Sequence, residues 1–463
     1  MDLSGKKVSV LGAGKSGIAV AELLRSKGAV ILVSEIGRIE EDEALRLENL
    51  NIAFEHEGHS ERVYDADFCV ISPGIPPGAA VVKTLQAKGV QIFSEIEIAS
   101  VFCKARIVGI TGTDGKTTTS TIIHRFCEED GVRNGYRSFL VGNVGVPFSS
   151  MVMDMSSGDV AVVELSSYQL ERCFTFKPDV AVITNVTPDH LNRYEGDIEK
   201  YAAAKFRIYA NQSAADTLIY NSDDHLLRRH FSGKPFAFSI VSFGLELESP
   251  SGMDCGSVFL DGDAVFVRTD HGDERVIETS DFLKLSFRGR HNISNVLASI
   301  AAARALGISN EVVRSVLMQF QGVEHRQEFV MTVNGASWVN DSKATNINAM
   351  RQALEAVPGR CVLIAGGRDK GNDYASIAGL VRQKAKLIVA IGESRAKISS
   401  AFEGIMEVKE ASSLEEAVLL AYEVAGEGET VLFSPGCASF DMFENFEERG
   451  FKFKQCVYQL QLC

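Results

Sequence analysis

The run Arg106-Ile107-Val108-Gly109-Ile110-Thr111-Gly112-Thr113-Asp114-Gly115-Lys116-Thr117-Thr118 places a β-branched strand, a glycine-rich turn and a Lys-Thr pair directly before a helical pattern. It commits this part of the chain to an α/β unit, because such a turn works only with a strand feeding it and a helix leaving it. Glycines let backbone N–H groups close on phosphate oxygens, and the helix start adds favourable partial charge. Lys116 then suits β- and γ-phosphate oxygens, and the Thr117 hydroxyl suits Mg²⁺. The spacing departs from the strict phosphate-loop pattern at Ile110, where a glycine would stand. The pattern predicts an enzyme acting on a nucleoside triphosphate.

A chain of 463 residues exceeds one hydrophobic core and predicts about three domains of ~150 residues. Its formal net charge of −14 argues against nucleic acid as a partner, since phosphate backbones are held by clustered Lys and Arg. Anionic small substrates need only a few placed cations and stay open. The start, Met1 to Lys7, has no apolar signal core, and no run approaches the ~18 apolar residues of a membrane span. A cytoplasmic protein without membrane insertion is expected. Nine cysteines without a C-x-x-C pair read as free thiols.

The first hundred residues alternate strand and helix patterns: Val8–Leu11, Ile18–Arg25, Val30–Val33 and Phe68–Ile71. The turn Gly12-Ala13-Gly14-Lys15-Ser16-Gly17, with Glu35 after the next strand, matches a dinucleotide fingerprint. It could hold NAD, another diphosphate, or serve close helix–strand packing. Ser72-Pro73-Gly74-Ile75-Pro76-Pro77-Gly78 is a turn-rich loop after a strand, where ligand-contacting backbone is often exposed. A second α/β pattern runs from Ile107 through Val160–Glu164 and Val180–Asn185. There Glu164 and the loop Thr187-Pro188-Asp189-His190 fall at strand ends. Residues 236–290 alternate apolar and polar residues around turns and read as an added antiparallel region, followed by a helix over Asn292–Leu306 that Gly307 ends. A third unit has strands at Trp338–Asp341, Cys361–Ala365, Leu387–Ile391 and Thr430–Phe433. Each of three strands runs into a polar loop: Asp341-Ser342-Lys343-Ala344-Thr345-Asn346, Gly366-Gly367-Arg368-Asp369-Lys370-Gly371 and Ser434-Pro435-Gly436-Cys437-Ala438-Ser439-Phe440-Asp441. Three such loops predict a shared face that binds something polar.

Taken alone, Glu164 suits Mg²⁺ at a strand end, His190 reads as a packing or capping residue, and Lys205 reads as an ordinary surface lysine. His56 and His59 read as a solvated loop, with no further Cys or His beside them. An NAD-dependent oxidoreductase and a phosphate-loop switch ATPase are the readings from other classes. The first leaves the phosphate loop unexplained.

In order along the chain, Gly109–Thr118, Gly142-Asn143-Val144-Gly145, Glu164-Leu165-Ser166-Ser167-Tyr168-Gln169-Leu170, Asn185–His190, Gly289–Asn295, His325-Arg326 and Asp341–Asn346 together resemble the Mur ligases of peptidoglycan synthesis, over essentially the whole chain. Ile110 is normal for that family. Folylpolyglutamate synthetases and other Mur-type amino-acid ligases are the nearest confounders. The Ser166–Leu170 run and the Cys437–Phe443 run resemble the branch that adds D-glutamate. Two departures stand out: Asp114 where relatives usually have Asn, and Asn192 where they often have Asp.

The resemblance implies three α/β domains: an N-terminal Rossmann-like one at 1–98, a central ATPase-like parallel sheet at 99–322 and a C-terminal Rossmann-like one at 323–463, with hinge motion near Val323. It implies an ADP-forming ligase joining D-glutamate to UDP-N-acetylmuramoyl-L-alanine through an acyl phosphate, with Mg²⁺, acting as a monomer. Gly112, Thr113, Gly115, Lys116, Thr117, Thr118, Asn292, Asn295, Arg326 and Asp341 would hold ATP. Gly14, Lys15, Ser16, Ser72, Gly74, Asn143, Ser166, Gln169 and His190 would hold the nucleotide-sugar. Lys343, Thr345, Lys370, Ser439 and Phe440 would receive D-glutamate. Metal ligands would be Thr117, Glu164, His190 and a carbamylated Lys205, and Lys116, His190 and Lys205 would be catalytic.

Overall fold

The computed structural model describes residues 3–189, 191–233, 235–246, 256–283, 289–369 and 371–461. The chain folds as two compact units, Met1–Thr279 with Arg290–Met318, and Ser280–Gly289 with Gln319–Cys463. Among the described residues the strands form three sheets, two in the first unit and one in the second.

The first sheet is parallel, with β1 (Lys7–Leu11), β2 (Val30–Ser34), β3 (Ala53–Glu55), β4 (Phe68–Ile71) and β5 (Gln91–Ser94) in the order 3-2-1-4-5. The central strand β1 buries Val8, Val10 and Leu11. The sequence pattern shows β1, β2 and β4. The edge strands β3 and β5 escape it because strands of three and four residues, with an exposed position in each, carry too short an apolar run.

The second sheet holds β6 (Arg106–Thr111), β7 (Ser138–Gly142), β8 (Val160–Glu164), β9 (Val180–Ile183), β10 (Thr217–Asn221), β11 (Ser239–Gly244), β12 (Gly256–Asp261), β13 (Ala264–Thr269) and β14 (Gly272–Glu278), in the order 14-13-12-11-10-9-6-8-7. The expected antiparallel region over 236–290 is half right. Strands β12, β13 and β14 form an antiparallel meander, but β11 lies parallel to both β10 and β12 and extends the main sheet. Alternating polarity reports a strand with one buried face and says nothing of the direction of its neighbours. The chain then runs into the helix Arg290–Leu306, ended by Gly307 at φ 83°. One apolar core runs through both sheets of this unit, from Val8 and Val70 to Val163, Ile183 and Leu218.

The third sheet has β15 (Glu328–Val333), β16 (Ala336–Asn340), β17 (Cys361–Gly366), β18 (Ala385–Ile391), β19 (Val408–Glu410) and β20 (Thr430–Phe433), in the order 15-16-20-17-18-19. It is parallel except for the hairpin β15–β16. Alternate residues feed two cores. Val362, Ile364, Val431 and Phe433 pack on one face with Phe453 of the last helix, and Leu363, Ala365 and Leu432 pack on the other with Met350 and Leu354. A sheet covered on both faces explains strands that read as continuous apolar runs.

Candidate active site

The phosphate turn leaves the carboxyl end of β6, between β8 and β9 in the sheet. Gly112 sits at φ 153° and Gly115 at φ 82°, and a Cβ on either would lie 1.9 Å from Thr184 Oγ1 or 2.2 Å from Asn295 Oδ1. Only glycine fits both positions. The turn is caged from β9: Asn185 O accepts from Thr113 N, Asn185 Oδ1 accepts from Asp114 N at 2.9 Å, and Thr184 Oγ1 donates to Asp114 O at 2.6 Å. These bonds engage the backbone of residue 114, so Asp at this position leaves the cage intact. The following helix, Lys116–Asn134, has no side-chain cap at Gly115, which suits an anion at its start. Helix Arg290–Leu306 packs beside it, with Asn295 Nδ2 3.5 Å from Asn292 Oδ1 and Thr119 Oγ1 3.5 Å from Asn295 Oδ1. The fold therefore brings Gly112, Thr113, Gly115, Lys116, Thr117, Thr118, Asn292 and Asn295 together.

Two lysines converge here. Lys116 Nζ donates to the carbonyls of Gly112 at 2.9 Å and Thr113 at 2.8 Å. Lys205 Nζ donates to the same Gly112 carbonyl at 2.6 Å and lies 4.4 Å from the centre of the Tyr201 ring. The surface reading of Lys205 is overturned: the residue is 1% exposed. Tyr201, Lys205 and Ile208 share the inward face of their helical segment. Burial first, and the neighbouring Lys116 second, push the Lys205 amine well below the usual lysine range.

Glu164 closes β8 opposite Ile110 on β6 and Gly142 on β7. It is 2% exposed; Oε1 accepts from Asn143 Nδ2 at 3.1 Å, while Oε2 is buried without a hydrogen-bond partner among the described residues. An unsatisfied carboxylate oxygen at a phosphate-facing strand end fits a divalent cation. His190 lies outside the described residues. Asn192, on the same loop, accepts from Arg193 N through its amide oxygen, as an Asp would.

In the first sheet, helix Lys15–Ser26 starts at Gly14 after the glycine turn. The Glu35 carboxylate accepts from Ala13 N at 2.9 Å and Gly37 N at 3.0 Å. It is spent on backbone rather than offered to a ribose, which disfavours the NAD reading. Ser72 Oγ is buried without a hydrogen-bond partner among the described residues, and a cleft between Ser72, Pro73, Tyr168, Gln169, Arg172 and Arg193 opens beside it. Ser166 and Gln169 form a capping box, each satisfying the other's backbone N–H. Among the residues read as holding the nucleotide-sugar, Ser72 and Gln169 line this cleft. The sequence reading missed Arg193, whose guanidinium lies 3.9 Å from the Tyr168 ring centre and 3.0 Å from Glu171. His59 Nδ1 lies 2.7 Å from Ser34 Oγ, at the end of β2.

In the second unit the three polar loops leave neighbouring strands β16, β20 and β17. Asp341 N donates to Phe433 O and Ser434 Oγ to Asp341 Oδ2, both at 2.7 Å, and Gly366 N donates to Pro435 O at 2.9 Å. Burial raises the Asp341 carboxyl to about 7. Arg449, on the last helix Phe446–Gln459, donates to Ser342 Oγ, Ser342 O and Cys437 O, and burial lowers its guanidinium to about 10. Arg449 was missed, although an arginine in register with Phe453 and Val457 on an apolar stripe is its signal. Ser439 is buried, Thr345 and Phe440 are exposed, and Lys343 lies 5.5 Å from the Phe446 ring centre. Lys370 lies outside the described residues. Glu324, His325 and Glu328 cluster closely enough to suggest a metal, but Lys454 already pairs with both glutamates.

Residues 7–81 match the MurD N-terminal domain, 110–303 the Mur ligase middle domain and 325–437 the Mur ligase glutamate ligase domain. The chain is 66% identical to the UDP-N-acetylmuramoylalanine–D-glutamate ligase of Pelodictyon phaeoclathratiforme over 99% of both chains. It belongs to the Mur ligase family. This Mur ligase is also 58% identical to the ligase of the same name from Chlorobium limicola over the full length of both. Its fold resembles that of the UDP-N-acetylmuramate-alanine ligase of Thermotoga maritima, with a TM-score of 0.59 and 20% identity over 98% of this chain and all of that one. A pseudomurein peptide ligase from Methanothermus fervidus aligns with a TM-score of 0.57 and 19% identity, over the same shares. No helix among the described residues of this Mur ligase is long and apolar enough to cross a membrane.

Proposed function

We propose that this Mur ligase joins D-glutamate to UDP-N-acetylmuramoyl-L-alanine in peptidoglycan precursor synthesis, converting ATP to ADP and phosphate. What carries the reading is identity along the entire length to ligases bearing that name. The convergence of Lys116 and Lys205 on the Gly112 carbonyl supplies its chemistry. The muramoyl-alanine carboxylate takes the γ-phosphoryl group, ADP leaves, and the D-glutamate amine attacks the acyl phosphate. Phosphate then departs as the amide forms and the amine loses its proton. Three anionic groups meet in this reaction, so the chain's task is to position them and supply positive charge.

Lys116 neutralises the transferred phosphoryl group. Burial disfavours the charged form of Lys205, and as an amine it would attack carbon dioxide, forming a carbamate and releasing a proton. That carbamate, Glu164, Thr117 and His190 would hold Mg²⁺, which supplies charge neutralisation to the phosphates when bound. Asn292, Asn295, Arg326 and Asp341 serve ATP. The first-sheet turn at Gly14, Lys15 and Ser16, with Ser72, Gly74, Asn143, Ser166, Gln169 and His190, serves the nucleotide-sugar. Lys343, Thr345, Lys370, Ser439 and Phe440 serve D-glutamate. The functional domains are 1–98, 99–322 and 323–463. We place the enzyme in the cytoplasm as a monomer, consistent with its use of ATP.

ADP release with the nucleotide-sugar present tests the reading. D-Glutamate should support it, and L-glutamate, L-lysine and meso-diaminopimelate should not. Faster turnover with L-lysine or diaminopimelate would keep a Mur-type ligase and refute the amino-acid assignment.

A further inference from the structure

We infer that His325 is a positioning residue whose ring, seated in the space left by Gly450, locks the turn Val323–Gln327 so that Arg326, Asp341 and Lys343 are held in one arrangement. This rests on the ligase reading, which assigns Arg326 and Asp341 to ATP and Lys343 to D-glutamate.

Two locally unfavourable choices meet at this ring. On one side, His325 has φ 62° and Gln327 φ 45°, so non-glycine residues in the left-handed region flank Arg326. Such backbone persists only when its surroundings over-determine it. On the other side, Gly450 occupies the interior of helix Phe446–Gln459, where glycine is disfavoured relative to alanine. A Cβ at 450 would lie 2.3 Å from His325 Nδ1. The helix gives up a side chain where the imidazole enters.

The surrounding bonds complete the lock. Asn340, with no exposed surface, has Nδ2 at 3.0 Å from His325 Nδ1, 3.0 Å from Glu328 Oε2 and 3.3 Å from Gly450 O. Glu328 Oε2 also accepts from His325 N at 2.9 Å, and Lys454 holds the other oxygen of that carboxylate at 3.0 Å. The strained turn then reaches two loops. His325 O accepts from Lys343 N at 3.0 Å, and Gln327 N donates to Asp341 Oδ1 at 3.2 Å. Backbone on both sides of Arg326 is thereby tied to the residues proposed for the nucleotide and the amino acid.

The test is a mutant cycle on the full-length enzyme, read by thermal melts and by the KM of each substrate. In an ordinary helix Gly450→Ala would raise the melting temperature; here it should lower it, and should raise KM for both ATP and D-glutamate about tenfold while KM for the nucleotide-sugar stays within about twofold. His325→Asn shortens the side chain and tolerates left-handed backbone, so in the Gly450→Ala background it should restore part of the melting temperature and both KM values, a non-additive result. A higher melt for Gly450→Ala, additive effects in the double variant, or a lowered melt with all KM values unchanged would each overturn the positioning role. If the melts follow the expected cycle but the wild-type enzyme releases no ADP with D-glutamate, the lock stands as structure. The ligase reading, and with it the role in presenting these substrates, then fails.

Discussion

The phosphate turn of the first unit and the loop cluster of the second handle charge in opposite ways. Around Gly112 two lysine amines share one carbonyl, and a buried oxygen of Glu164 has no partner among the described residues. Around Ser342 the buried Arg449 is matched by a hydroxyl and two carbonyls, and Glu328 is matched by Lys454, Asn340 and the His325 N–H. The first region gathers two amines on one carbonyl and leaves a Glu164 oxygen unpartnered among the described residues, an arrangement suited to a ligand that brings its own phosphates and a divalent cation. In the second, Arg449 and Glu328 are satisfied within the protein, which lets them hold loop shape. Mutations should therefore cost activity in the first region and stability in the second.

The largest expected effect is on Lys116. Lys116→Ala should reduce ADP-forming turnover about 10³-fold and leave the thermal midpoint almost unmoved; near-normal turnover beside an unchanged melt would break the contrast from the first side. Next comes Lys205→Ala, expected to lose about 10²-fold in turnover, with acetate or formate restoring part by supplying carboxylate oxygens in the vacated space. Full activity, or the loss of both activity and fold, would remove the reason to treat this lysine as a ligand precursor.

Arg449→Met should show the reverse pattern. Removing its guanidinium strands two buried carbonyls and a hydroxyl, so a denaturant titration should lose about 3 kcal/mol of stability. A stable variant would show that the second region does not depend on internal charge pairing. The smallest effect concerns pH. The Asp341 carboxyl, raised to about 7 in the folded chain, ionises near about 4 when unfolded. Between those values the folded state binds more protons, so the contribution of this group to stability falls as pH rises from about 4 to about 7 and is flat above. Asp341→Asn should flatten that part of the stability curve by about 1–3 kcal/mol; an unchanged slope would place the carboxyl in a less desolvated setting.

The two regions also differed in legibility. The phosphate turn was readable because its chemistry needs contiguous residues: the glycines, Lys116 and Thr117 follow one another within a strand–turn–helix. The three polar loops were readable singly as strand ends, and their adjacency followed from strand order, since β16, β20 and β17 are neighbours. Arg449 showed only as an arginine on an apolar helix stripe and Gly450 as a glycine inside a helix, because the loops that a helix residue meets are not encoded in its own neighbourhood. Likewise β11 looked like the rest of the antiparallel region, since alternation carries no direction.

What the sequence by itself determined is the repeated strand–loop–helix grammar, the phosphate turn and the family they belong to, all set by local spacing and short-range backbone geometry. What only the tertiary structure decided is the state of the side chains. Lys205 became a buried, deprotonation-prone amine because its helix turned it toward Gly112 and Lys116. His325 became a keystone because Gly450, more than a hundred residues later, left room for it. Burial and long-range approach set the energy of a charge or a strained turn, and both depend on partners that only folding brings near.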